Sequence, residues 1–307
     1  MDTSSNTNSE GIYSALEEVP RKKGVTLGGD IEDNTMNLGL QNKNAIVTGG
    51  ERGIGREICL ALAGEGANVA YCDIRLEQGE GSTLQSIQSL GSKAIARQVD
   101  VSDEAQVIQF IQDAIAELGC IDIFVSNAGI IEWEPVKKIT LECWNKILAV
   151  NLTGAMLCTR EVARHMVARR KGVMLFTSST IQYHPAYKEA AYRVSKTGVQ
   201  VFAETAAIEL APYGIRVNTV SPGLINSPNW AKGVLPKVAH DPDTGERFMA
   251  NIPLGRLGLP TDVGAAFAFL ASDRASFATG ANITLDGGFT LRPLVLVTDE
   301  EIRKMNL

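Results

Sequence analysis

The chain has 307 residues, 29 of them Lys or Arg and 35 Asp or Glu, for a formal charge of −6, and 45% of its residues are hydrophobic. That balance excludes a disordered chain, a collagen-like repeat and a disulfide miniprotein. The acidic excess argues against a general nucleic-acid binder, which needs a basic face to meet phosphates.

Residues 1–40 are polar, rich in Ser, Thr, Asn and Gly, and read as a flexible N-terminal arm, with one weak helical run at Ile12–Val19. The opening MDTSSNTNSE has no apolar core of a secretory signal, and no run approaches the ~18 apolar residues of a membrane span. From Asn44 the character changes. Ala45–Thr48, Asn68–Cys72, Ala94–Val99, Ile121–Ser126, Val173–Thr177, Arg216–Val220 and Asn282–Leu285 read as strands. Most are continuously apolar, as expected of strands buried on both faces. Helically spaced patterns lie between them, and glycines at 66, 91, 119, 172 and 214 mark where helices should stop. Strand–helix alternation predicts one α/β domain, a Rossmann-type, doubly wound, parallel, seven-stranded sheet with helices on both faces, spanning 41–289. Residues 290–307 form a tail.

The first strand runs into Thr48-Gly49-Gly50-Glu51-Arg52-Gly53-Ile54-Gly55 and then a helical pattern. A glycine turn between a strand and a helix N-terminus suits a pyrophosphate, because the backbone approaches closely and the helix dipole favours the anion. A tight structural turn would give the same letters; the strand before it, the helix after it and an acid at the second strand end select dinucleotide binding. That acid, Asp73, lies 18 residues beyond Gly55. It is placed to accept from ribose hydroxyls and so to favour NAD, although Asp also caps helices well. Arg52 and Arg75 leave NADP as the alternative. Like charges ~4 Å apart at an effective dielectric of ~20 cost about 4 kcal/mol, whereas an exposed ion pair returns only ~0.2–1 kcal/mol. NAD is therefore expected.

Tyr192 and Lys196 are spaced i, i+4 and share a helical face. Tyr183 and Tyr187 have no lysine four residues on. A tyrosine acting as a base near neutrality needs its pKa lowered by roughly 3 units, about 4 kcal/mol, which neighbouring positive charge can supply. The three histidines (His165, His184, His240) are far apart, and the five cysteines have no C-x-x-C spacing. No metal site is expected, and the thiols read as reduced, in a cytoplasmic protein.

With TGGERGIG (48–55), Asp100-Val101, Asn127-Ala128-Gly129, Asn151, Ser178-Ser179, Tyr192-x-x-x-Lys196 and Pro222-Gly223 occurring in order, the chain resembles the compact, single-domain short-chain dehydrogenases/reductases from about Gln41 to Phe289. The resemblance implies an NAD(P)-dependent oxidoreductase interconverting a secondary alcohol and a ketone. It implies Tyr192 as general acid/base, Lys196 on the nicotinamide ribose, Ser179 on the substrate oxygen and Asn151 at a proton-relay water, with Ser178 structural. Cofactor contacts would come from Gly49, Glu51, Arg52, Gly53, Ile54, Gly55 and Asp73, then Asp100 and Val101 at the adenine end. Asn127, Ala128 and Gly129 would follow, with Asn127 mainly bracing the sheet, and Pro222, Gly223, Ile225 and Ser227 would shape the nicotinamide pocket. Singly, each residue has a plain structural reading: Asn151 as a cap, Ser179 as a strand end, Lys196 as a surface charge. Ser126 departs from a common second Asn, and Ser227 from a common Thr that keeps the hydroxyl. Residues 226–252 would form a substrate lid, with Ile131, Trp133, Gln182, Tyr183, His184 and Tyr187 as pocket-wall candidates.

A small-molecule alcohol or ketone is the expected partner, with neither nucleic acid nor membrane, and the family resemblance implies a homodimer or homotetramer. The alternatives are an NADPH-dependent ketone or 3-oxoacyl-carrier-protein reductase, a related lyase or epimerase, and a non-catalytic dinucleotide sensor, which would be expected to lack Tyr192 or Lys196.

Overall fold

Seven strands form one all-parallel sheet in the order β3-β2-β1-β4-β5-β6-β7. The computed structural model describes residues 38–227 and 251–291. The expected arm before residue 38, most of the lid (228–250) and the tail beyond 291 lie outside them. The strands are β1 (Asn44–Thr48), β2 (Asn68–Asp73), β3 (Ala94–Gln98), β4 (Ile123–Ser126), β5 (Gly172–Thr177), β6 (Ile215–Pro222) and β7 (Asn282–Leu285). All seven coincide with the expected runs to within two residues at each end. The late start of β4 has a local cause. Ile121 N donates to His165 Nε2 and its carbonyl accepts from Arg169, so 121 belongs to a helix contact, whereas Asp122 already bonds β1 and β5 through the Asn44 carbonyl and Val173 N.

Alternate strand residues serve opposite cores, as the two-residue period requires. Ala45, Val47, Val69, Tyr71, Ile123, Val125 and Leu175 pack with helices α1 (Gly53–Gly64), α2 (Thr83–Ser89) and α7 (Pro260–Ala271) on one face. Ile46, Ala70, Cys72, Phe124, Met174 and Phe176 pack with α3 (Glu104–Leu118), α5 (Gly154–Arg169) and α6 (Ala190–Leu210) on the other. The result is the three-layer arrangement that parallel strands need.

Between β4 and β5 the long helical stretch is not one regular helix. It is α4 (Leu141–Leu148), a five-residue π segment (Ala149–Thr153) and then α5. Of the five glycines read as helix stops, Gly66, Gly91, Gly119 and Gly214 have positive φ just past a helix, but Gly172 does not. There α5 ends on left-handed Arg170, and Gly172 opens β5, where a Cβ would come 2.2 Å from Met166 Sδ.

The strand order reverses between β1 and β4, so the loops that follow them diverge to opposite faces and leave a crevice at their carboxyl ends. Such a switch point is where open α/β sheets bind ligands.

Candidate active site

The loop after β1 and the loop after β4 meet at the crevice. Gly49 has φ +68°, and a Cβ there would lie 2.8 Å from Ala128 Cα, while a Cβ on Gly55 would lie 1.9 Å from the Gly49 carbonyl oxygen. Both positions therefore require glycine. Helices α2, α3 and α4 are capped by the side chains of Ser82, Asp103 and Thr140. Helix α1 starts at Gly53 and Ile54 with Arg52 at its N-cap, no side-chain cap and no acid in its first turn. Its first N–H groups are left for an anion. The glycine cradle, the uncapped helix and Asp73 at the end of β2 fit a dinucleotide.

Asp73 is 8% exposed, with Oδ2 accepting from Glu51 N at 3.3 Å and Oδ1 from Arg75 N at 3.4 Å. The exposed guanidinium groups of Arg52 and Arg75 form no ion pair with it among the described residues. Glu51 is turned inward. Its carboxylate accepts from the Tyr71 hydroxyl at 2.8 Å and from Thr83 N at 3.2 Å, so its side chain braces the turn from below, and only its backbone meets Asp73. Asp100 folds onto Ser102 N and Oγ, and Val101 packs under Gly154, where a Cβ would come 2.9 Å from its carbonyl oxygen.

Asn127 sits between three strand ends. It receives Thr177 Oγ1 at 3.1 Å, donates to the Gly49 carbonyl at 3.0 Å, and its backbone N–H donates to Thr48 Oγ1, as that of Ala128 also does. Gly129 lies where a Cβ would be 3.3 Å from Lys196 Nζ and 3.4 Å from Asn151 Oδ1. Pro222 ends β6, and Gly223 is bonded through its N–H to Leu285 with no room for a Cβ against Asp286. Ile225 is buried and bridged to Gly258, and Ser227 is the last residue before the undescribed stretch.

Helix α6 carries Tyr192 and Lys196 one turn apart. The Lys196 ammonium is buried, donates to the Thr177 carbonyl at 2.8 Å and lies 6.0 Å from the centre of the Tyr192 ring. Burial draws its pKa from 10.5 down to about 8. Burial also pushes Tyr192 up to about 12; the Ser179 hydroxyl opposes this, and the charge of Glu189 adds to it. Desolvation therefore wins at both groups. Ser178 turns away and donates to the Lys196 carbonyl, a structural contact.

Asn151 lies within the π segment, 1% exposed. Its amide accepts from Ile130 N at 2.8 Å and donates to the Ile130 carbonyl at 2.9 Å and to Ser195 Oγ at 2.9 Å. Ser195 in turn donates to the Tyr192 carbonyl at 2.7 Å. The β4 loop, the π segment and the first turn of α6 are thus one network. Ser195 and Glu189 are the residues that sequence reasoning missed. Ser195 stood in plain view inside Tyr192-x-x-x-Lys196, but nothing local distinguishes it from a solvent-facing serine. Three of the pocket-wall candidates are each held by a hydrogen bond: Gln182 to Ser221, Tyr183 to Asn282 and His184 to the Thr290 carbonyl. No group of three His, Cys, Asp or Glu able to hold a metal occurs among the described residues.

A lysine whose pKa is depressed by folding is held at a cost while it stays charged, and that cost is relieved as pH rises from the folded towards the unfolded value. For Lys196 the window runs from about 8 to 10.5 and the cost is of the order of 3 kcal/mol. The Tyr192 effect has the opposite sign and begins only above its unfolded value of 10.0. The free protein should therefore gain stability between pH 8 and 10 relative to Lys196→Met, read as the difference between their denaturant midpoints.

The family model described as enoyl-(acyl carrier protein) reductase matches residues 49–290. A 3beta-hydroxysteroid dehydrogenase of Eggerthella lenta is 38% identical over 83% of this chain and 96% of its own length. A cis-4-hydroxycyclohexanecarboxylate dehydrogenase of Sinomonas cyclohexanicum is 36% identical over 80% of this chain and 96% of its own. The solved structure of an NAD+-bound xylitol dehydrogenase superposes with a TM-score of 0.76 at 30% identity, covering 81% of this chain and 99% of that one. The chain belongs to the short-chain dehydrogenase/reductase family and is an oxidoreductase acting on CH–OH groups.

Proposed function

We propose that the protein uses NAD to oxidise a ring-bearing secondary alcohol, with Tyr192 as the acid/base. The reading rests on Tyr192, one turn from a buried Lys196, beside an uncapped helix and an unneutralised Asp73. The bound dinucleotide supplies the two-electron acceptor and donor, and its oxidised ring brings a positive charge. The chain supplies orientation and the proton route. Glycines 49, 53 and 55 and the start of α1 hold the pyrophosphate, Lys196 and Asn151 serve the ribose and proton-relay end, and Ser179 donates to the substrate oxygen. In oxidation Tyr192, as the phenolate that a neighbouring positive charge favours, would take the substrate hydroxyl proton, and the dinucleotide would supply the acceptor for the hydride from carbon. In reduction Tyr192 returns the proton. The two relatives above act on ring alcohols, one a steroid and one an anionic cyclohexane, and the ring-borne hydroxyl is what they share.

Self-association is part of the same reading. Val199, Ala203, Ala206 and Ala207 of α6 face the sheet, whereas Val194, Val201 and Ile208 recur every seventh residue on the outside at 47%, 56% and 78% exposure. A stripe of this kind is expected to be covered in a dimer or tetramer. The five free thiols support a reducing compartment such as the cytoplasm, and no helix among the described residues is long and apolar enough to cross a membrane.

Tyr192→Phe should lower turnover by about 10²–10⁴-fold, the usual worth of a positioned acid/base, while NADH still quenches the intrinsic fluorescence; full activity would reject the mechanism. NADH should bind more tightly than NADPH, and Asp73→Ala should narrow that gap; tighter NADPH binding by the unaltered protein would assign it to ketone reduction instead. Val201→Glu with Ile208→Glu should lower the molar mass found by light scattering, and an unchanged mass would move the interface elsewhere.

A further inference from the structure

Glu189 stands at the N-cap of α6, one turn before Tyr192, yet its side chain does not cap the helix. Its Oε1 instead accepts from Trp133 Nε1 at 3.0 Å, across from the loop that follows β4. Beside it the Glu134 N–H donates to the Lys188 carbonyl at 3.0 Å, and Lys188 holds φ +70° to present that carbonyl. Two strand-end loops are therefore clasped through one backbone and one side-chain hydrogen bond, over the side of the crevice where Tyr192 and Ser179 meet the substrate. The ring of Trp133 stays 36% exposed and offers an apolar wall.

Acids and bases are equal in number at this rim, but only one pair of them is joined. Glu132 is neutralised by Lys146 at 2.7 Å. The Lys188 ammonium lies 5.5 Å over the Tyr187 ring, and Arg193 is engaged with the Gln182 carbonyl. Glu134 and Glu189 form no ion pair among the described residues. Glu189 is half-buried, and its charge is felt at the Tyr192 phenol.

We infer that the Trp133–Glu189 clasp sets substrate charge selectivity, admitting uncharged alcohols with an apolar body and rejecting those that carry a carboxylate beside it. The inference rests on the secondary-alcohol reading and deepens it. Trp133 gives the ring of the substrate a face to lie against, and Glu189 makes an approaching carboxylate a like charge in a partly desolvated place. Such repulsion at an effective dielectric of ~20 reaches tenfold or more in binding at separations under about 10 Å.

The test compares two alcohols of one ring size, cyclohexanol and cis-4-hydroxycyclohexanecarboxylate, on the unaltered enzyme and on Glu189→Gln, which keeps an oxygen for Trp133 Nε1. The unaltered enzyme should favour cyclohexanol by about tenfold or more in kcat/KM. Glu189→Gln should cut that preference at least threefold, chiefly by lowering KM for the carboxylate, which a loss of packing alone would not do. The same ratio read from ligand-induced change in tryptophan fluorescence, with NADH bound, involves no turnover and so keeps the clasp testable apart from the reaction. Equal preference in the unaltered protein, or an unchanged ratio in Glu189→Gln, would overturn the inference.

Discussion

Seven parallel strands must all be entered from the same edge, and every connection has to return across the sheet to do so. That constraint places every strand-to-helix loop at one end of the molecule. It brings Gly49, Asp73, Asn127, Ser179 and Pro222, which are distant in sequence, to a single crevice. The reversal of strand order between β1 and β4 opens the gap, and the chemistry of the loops then fills it. Nothing in the site could be assembled from one segment alone.

Within that crevice, rigidity comes from amides and hydroxyls that bind backbone. Asn127 ties β1, β4 and β5 together through Thr48, Gly49 and Thr177, and Asn151 ties the next loop to α6 through Ser195. Each is satisfied within the protein, so the catalytic side chains have little freedom to reorient. The electrostatics work against the resting protein: Lys196 is buried with a carbonyl as its hydrogen-bond partner, and Tyr192 is pushed away from ionisation. A desolvated, costly lysine is what a site pays in stability for a charge placed before its ligand arrives.

The sheet and the glycine turn were legible because both are written locally. Continuously apolar runs have few readings in a chain of alternating helices, and Gly49 and Gly55 occupy backbone positions that no other residue fits. Tyr192 and Lys196 were legible because helical spacing puts them on one face. What remained hidden depends on pairing between distant segments. Glu51 reads as part of the phosphate turn, yet its carboxylate is drawn beneath the turn by Tyr71 and Thr83. The bonds that hold Gln182, Tyr183 and His184 to β6, β7 and the segment beyond them were equally hidden. Glu189 gave no signal at all, because its partner Trp133 lies 56 residues earlier.

The π segment at Ala149–Thr153 joins α4 to α5. A π turn takes up one residue more than an α turn, so dropping a residue here would restore a regular helix and leave Val162, Met166 and the Arg169–Asp122 pair in place. What it would remove is the bulge that holds Asn151 against Ile130 and Ser195. The fold would survive such a deletion and the site would not, so among relatives the length of this stretch should follow the activity.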